Sequence, residues 1–263
     1  MANRKQRISC EFFPPKTEAG TSKLLTEVTP ALNALAPEFF SVTYGAGGST
    51  RDTTLGVVSA IRAADIDVAP HLSFGGDDEN AVASLLETYR SRGIKRLVAL
   101  RGDIPSGTGG AAQLVYASQL VAFIRERTAD HFQIEVAAYP EIHPEAKSYD
   151  SDISFLKAKL DAVSNSAITQ YFFNVESYFY FLDQCSAIGI DKPIYAGIMP
   201  IVNFANLQRF SRNCGAEIPR WICQRMEAYG DDQDSIGKFG IEVVTQLCQT
   251  LLDNGAPGIH FYT

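Results

Sequence analysis

Short apolar runs recur along the chain, and the segments between them carry apolar residues at helical spacing. The runs over 8–13, 39–44, 66–72, 95–101, 133–138, 166–172, 193–199 and 258–262 predict strands. Amphipathic patterns over 20–34, 52–64, 79–91, 112–128, 150–162, 175–187, 203–211 and 233–253 predict helices between them. The span from Asn213 to Met226 is the least regular and is expected to add a short helix after the seventh strand. Eight strands with interposed helices predict an α/β fold, a (β/α)8 TIM barrel forming one domain over 1–263. Length alone also permits two domains, and the even spacing decides against them.

The first four runs end in polar or turn-forming groups. Ile8–Phe13 leads into Pro14-Pro15, Phe39–Tyr44 into Gly45, Val68–Leu72 contains Pro70-His71, and Arg96–Leu100 is followed by Arg101-Gly102-Asp103. In a barrel of this kind the strand ends and following loops converge on one mouth, where the active site is expected. Pro14-Pro15, Gly47-Gly48, Gly75-Gly76 and Gly107 through Gly110 punctuate these loops, either as plain turns or as parts of the site.

Composition narrows the setting. The chain has no apolar stretch of about 18 residues and no signal-like N-terminus, which predicts a cytoplasmic protein with no membrane partner. Its five cysteines, Cys10, Cys185, Cys214, Cys223 and Cys248, are scattered without a CxxC pair, which favours reduced thiols and no metal site. A formal charge of −7 disfavours nucleic acid, yet leaves room for a local basic pocket that holds a phosphorylated cofactor. Neither GxGxxG nor GxxxxGK[ST] occurs.

Several side chains stand out against the apolar runs. Glu11 lies within an apolar strand, where a buried carboxylate needs compensation. Facing the mouth, it would be desolvated and suited to donate a proton; otherwise it pairs with a basic neighbour below the site. Asp103 can accept hydrogen bonds from a ligand ring while Arg101 meets anionic groups, or the two close a loop as an ion pair. His71 and His143 are read as ligand-facing hydrogen-bonding groups or ordinary loop histidines in preference to zinc ligands. Asp152, bracketed by Lys147, Lys157 and Lys159 near a helix start, can receive ribose hydroxyls, with Lys159 toward a pyrophosphate; solvent exposure is the default for each charge. Gln170, before Tyr171-Phe172-Phe173, can orient a heterocycle, whereas Phe172 and Phe173 read more as barrel packing. Phe204 follows the seventh strand.

Taken in order, Ser9-Cys10-Glu11-Phe12-Phe13-Pro14-Pro15, Ser41-Val42-Thr43-Tyr44-Gly45-Ala46, Ala69-Pro70-His71-Leu72 and Ala99-Leu100-Arg101-Gly102-Asp103 resemble the bacterial type of the methylenetetrahydrofolate reductase family. The resemblance continues through Ala138-Tyr139-Pro140-Glu141, His143 to Ser148, Ala167 to Phe172, Gly197-Ile198-Met199-Pro200 and His260-Phe261-Tyr262-Thr263. It implies an FAD-bearing barrel that reduces 5,10-methylenetetrahydrofolate to 5-methyltetrahydrofolate with NADH or NADPH. In such a family the flavin stores two electrons between two partners that occupy the same region in turn. The resemblance assigns Glu11 as the acid on the folate leaving nitrogen and Asp103 as the carboxylate that orients the pterin and tunes the flavin. It places Gln170 on folate or reductant and Phe204 against either. FAD would be held by Thr43, Tyr44, Ala46, His71, Arg101, Gly102, Asp103, Tyr116, Tyr139, His143, Ala146, Asp152 and Lys159.

Two departures accompany the match. Phe155 and Ala158 stand where the bacterial pattern has polar or basic side chains, so flavin contacts there must differ. The pattern also continues beyond Thr263 into Leu-Asn-Arg and a final helix; without that helix an apolar face is expected, covered either by another subunit in a homo-oligomer or by sequence that continues past Thr263. Alternatives from the same residues are a flavin-independent folate reductase and a low-turnover folate-binding partner subunit.

Overall fold

The structure, a computed structural model, describes residues 6–44, 51–74, 78–101 and 116–263. Eight parallel strands close into a barrel in sequential order: β1 (Arg7–Phe12), β2 (Phe39–Val42), β3 (Val68–Leu72), β4 (Arg96–Ala99), β5 (Gln133–Ala138), β6 (Ser166–Thr169), β7 (Ile194–Ile198) and β8 (Gly258–Tyr262). This is the expected (β/α)8 fold. Most strand residues are buried at consecutive positions, as parallel strands covered on both faces require.

Helices α1 (Glu18–Lys23) and α2 (Thr29–Asn33) are joined by a π-helical turn, Leu24–Val28, where the sequence predicts one unbroken helix. Pro30 has no N–H to give to the preceding turn, and the Thr29 N–H bonds the Leu24 carbonyl five residues back. The outer layer continues with α3 (Arg51–Ala63), α4 (Glu79–Ser91), α5 (Ala117–Thr128), α6 (Tyr149–Asp161) and α7 (Val175–Ala187), followed by α8 (Phe204–Cys214), α9 (Arg220–Tyr229) and α10 (Gln233–Asp253). Helix α4 shows the logic of this layer: Asp78 accepts the Ala81 N–H at 2.8 Å, and Val82, Leu85, Leu86 and Tyr89 form one buried stripe. The part of the helix predicted over 112–115 lies outside the described residues.

Several expected boundaries shift: β2, β3 and β4 are shorter than the apolar runs over 39–44, 66–72 and 95–101, and two further shifts have a visible cause. Helix α8 runs on to Cys214 and ends at Gly215 in the left-handed conformation (φ +77°), so the extra helix begins only at Arg220. The sixth strand stops at Thr169. The apolar run continues because Tyr171, Phe172 and Phe173 are buried loop residues, with Phe172 stacked on Tyr178 at 5.4 Å.

The chain divides into two compact units. One comprises Ile8–Ala137 and Ala158–Ser166; the other comprises Ala138–Lys157 and Ala167–Thr263 with the described residues up to Arg7. In the first, Arg96 lies 3.3 Å from the fully buried Glu135, also meets Glu38, and covers the Phe39 ring; Ser166 donates to Glu135 as well. Breaking such a buried pair leaves an uncompensated charge, which is far more damaging than the intact pair is stabilising. In the second, glycines permit close backbone approach. A Cβ on Gly197 would lie 2.0 Å from the Thr169 carbonyl oxygen, one on Gly240 2.1 Å from that of Ile201, and one on Gly258 2.1 Å from that of Arg7. The Gly197 N–H donates to the Thr169 hydroxyl at 2.8 Å, and the Tyr262 hydroxyl donates to the Thr169 carbonyl at 2.7 Å.

Gly197→Ala should therefore push β7 from β6 and lower stability by about 1–3 kcal/mol, the usual cost of overpacking. Urea unfolding of the variant against the parent measures it.

Candidate active site

Parallel pairing sets Glu11 of β1 opposite Ser41 of β2, and Ser41 opposite Ala69 of β3, two residues before His71. Residues two apart on a strand share a face. The result is a buried cluster near the C-terminal ends of these strands: Glu11 is 6% exposed and His71 7%. The Ser41 hydroxyl donates to Glu11 Oε2 at 3.2 Å, and His71 Nε2 lies 3.0 Å from the same oxygen. The histidine contact is close enough for an ion pair but is not aligned as a hydrogen bond. On this pairing Glu11 meets the predicted demand for compensation, and its partner is a residue assigned to the ligand. Beside Glu11, burial pushes the Cys10 thiol up to about 11, so it stays neutral.

The other site residues of this unit are less gathered. Thr43 is tied in by its backbone, donating to the Phe12 carbonyl at 2.9 Å and accepting the Thr54 hydroxyl at 3.0 Å, and Tyr44 follows it half-buried. Arg101 and Tyr116 are exposed; the Tyr116 N–H is held by Gln119 Oε1 at the start of α5. The Lys159 ammonium bonds the Ala137 carbonyl. Ala46, Gly102 and Asp103 lie outside the described residues.

In the second unit residues 139–146 form a compact turn. The His143 ring meets Tyr139 edge to face at 4.5 Å, and His143 Nδ1 accepts the Glu145 N–H at 3.0 Å. Asp152, in the first turn of α6, accepts the His143 N–H at 2.7 Å, so it braces the turn that carries Tyr139, His143 and Ala146. Ile142 sits at φ +72°, a conformation that costs a β-branched residue roughly 1–2 kcal/mol. Gln170 Oε1 accepts the Tyr171 N–H at 3.0 Å, and the Tyr171 hydroxyl pairs with Ser211 at 2.9 Å. Gln170 and Tyr139 line one small pocket with Glu141, Tyr171 and Cys214, and Phe204 at the head of α8 does not line it. Its cavity of about 10 Å3 is far below the roughly 300 Å3 of a typical ligand site, so it holds no ligand of that size.

Phe155 is 54% exposed and Ala158 is exposed, so this part of α6 presents no polar group in their place. All five cysteines are free thiols. Among the described residues, no three His, Cys, Asp or Glu side chains are gathered as metal ligands, and no helix is long and apolar enough to cross a membrane.

Three contributors escaped the sequence reading of individual residues. Ser41 had a signal, as a hydroxyl within an otherwise apolar strand. Glu141 and Tyr262 lay inside recognised stretches, but only the fold shows their partners.

A closed parallel barrel with acid, imidazole and amide side chains near its strand ends defines a (β/α)8-barrel enzyme. A family model described as methylenetetrahydrofolate reductase matches residues 1–263. The 5,10-methylenetetrahydrofolate reductase of Escherichia coli (strain K12) is 40% identical over 257 residues, covering 97% of this chain and 85% of that protein. That of Buchnera aphidicola subsp. Schizaphis graminum is 41% identical over 262 residues, covering 99% and 88%. The methylenetetrahydrofolate reductase (NADH) 1 of Arabidopsis thaliana is 36% identical, over 97% of this chain and 45% of the plant protein. A solved structure, an uncharacterized protein from Clostridium thermocellum that binds two copies of 5-methyl-5,6,7,8-tetrahydrofolic acid, superposes with a TM-score of 0.70 at 17% identity, covering 99% of this chain and 91% of that one. That likeness concerns the fold. The chain belongs to the methylenetetrahydrofolate reductase family, whose members are flavin- and NAD(P)H-dependent oxidoreductases.

Burial raises the Glu141 carboxyl above its ordinary range; the Glu217 N–H and the Ser177 hydroxyl pull the other way, and the Glu217 charge adds to the rise. A raised folded-state value means that its contribution to stability is full below the ordinary carboxylate pKa and is lost as pH rises through the raised value. Thermal midpoints from about pH 4 to about pH 7 should thus show the parent losing ground to Glu141→Gln, whose side chain does not titrate.

Proposed function

We propose that this chain, acting as one catalytic domain over 1–263, reduces 5,10-methylenetetrahydrofolate to 5-methyltetrahydrofolate with NADH or NADPH through FAD. The observation that carries the reading is the buried Glu11, Ser41 and His71 cluster near the strand ends. In this reading Glu11, held 3.0 Å from His71 Nε2, is the acid that gives a proton to the folate nitrogen that must leave as the methylene bridge opens to the iminium ion. Ser41 fixes the carboxyl from the β2 side, so Glu11 need not reorient to deliver it.

The residues present suit a flavin. His71 Nε2 is buried without an aligned hydrogen bond and can meet a polar ring edge, while the Tyr139 and His143 turn offers aromatic and backbone groups. We assign the flavin to Thr43, Tyr44, Ala46, His71, Arg101, Gly102, Asp103, Tyr116, Tyr139, His143, Ala146, Asp152 and Lys159. When bound, FAD supplies the two-electron carrier between nicotinamide and folate. Asp103 would orient the pterin, Gln170 would hold folate or nicotinamide, and Phe204 would pack on either. Asp152 and Lys159 already bond the protein backbone, so their part is to support the turn and the β5 end as much as to touch the ligand. Self-association is part of this reading, and light scattering on the purified protein tests it.

The deciding experiment is anaerobic absorbance of the purified protein. FAD should bleach on adding NADH and recover on adding methylenetetrahydrofolate. In Glu11→Gln, bleaching should stay within a few-fold of the parent while recovery slows by about 10²-fold or more, the scale of one general acid. NADH oxidation by a flavin-free protein only when folate is present would instead support direct transfer. Silence in both steps would leave a folate-binding subunit.

A further inference from the structure

The strained turn after β5 is held from both sides. After Ile142, the His143 N–H is pinned by Asp152 of α6 at 2.7 Å. Before it, Glu141 Oε2 accepts the N–H of Glu217, 76 residues away in the connection between α8 and α9, at 2.8 Å. Pro144 rests on the same connection, since a Cβ on Gly215 would lie 3.0 Å from its ring. A non-glycine residue persists in a sparsely populated conformation only when its surroundings over-determine it.

We infer that Glu141 is a positioning residue of the flavin site: its carboxylate pins the turn so that Tyr139, His143 and Ala146 are presented together. Asp152 alone fixes only the outgoing side of Ile142. Without the Glu141 anchor, Ile142 can fall back to negative φ, the peptide planes on either side rotate, and Tyr139 parts from His143. The same anchor ties the turn to the end of α8, the helix that begins at Phe204, so both move as one body. This inference rests on the assignment of the turn to FAD.

The test is the rate at which the purified holoprotein releases FAD on dilution, read by the rise in flavin fluorescence, with flavin circular dichroism as a second readout. Glu141→Gln keeps an oxygen acceptor for the Glu217 N–H and should release FAD within about twofold of the parent. Glu141→Ala should release it about tenfold faster, the scale of one hydrogen bond, and should lose flavin ellipticity while its far-ultraviolet spectrum is unchanged. Glu141→Asp keeps the charge but falls short of Glu217, and makes the same comparison if the alanine variant does not fold. Release at the parental rate from folded alanine or aspartate variants would overturn the inference and leave the flavin assignment standing. A parent protein that takes up no FAD would overturn the flavin assignment itself, and this inference with it.

Discussion

The register of parallel strands is the constraint from which the chemistry follows. Once Ser9 pairs with Phe39 and Phe40 with Val68, Glu11, Ser41 and His71 have no freedom to be anywhere but beside one another. A one-residue slip would turn Glu11 to the other face of the sheet and exchange it for Cys10 or Phe12. Phe12 stacked on Phe40 at 4.8 Å makes such a slip costly, because it would carry both rings out of their packing. The carboxyl is thus placed by its apolar neighbours.

The second unit solves the same problem with different means. Its ligand-facing candidates come largely from a turn, and a turn has no ladder to define it. A side chain from α6 and a backbone N–H between α8 and α9 supply the definition instead, at the expense of a left-handed Ile142 and a partly buried carboxyl. Such an arrangement is specific but conditional, because each anchor depends on a helix being in place.

This difference explains what could be read from the chain. Continuous apolar runs made the eight strands and the barrel legible, and a lone carboxylate in such a run made Glu11 legible. Ordered similarity across the chain carried the family and the reaction. The strand run over 166–172 overshot because burial, not pairing, keeps Tyr171 and Phe172 apolar. Asp152 and Lys159 read as ligand groups from their charge, their place near a helix start and the family resemblance, whereas their bonds to the His143 N–H and the Ala137 carbonyl require knowing which helix face meets which strand. Glu141 was invisible for a related reason: its partner is a backbone N–H, and any residue type except proline provides one.

The close-packed glycines bear on how this protein would look to genetics. Gly240 and Gly258 have no functional group, yet each faces a carbonyl oxygen at a distance that admits no side chain. A mutational scan scored on growth would rank both beside Glu11, and three equal losses would have two unlike origins, one electronic and two steric. Only the amount of folded protein recovered from each variant separates a missing carboxyl from a backbone forced apart.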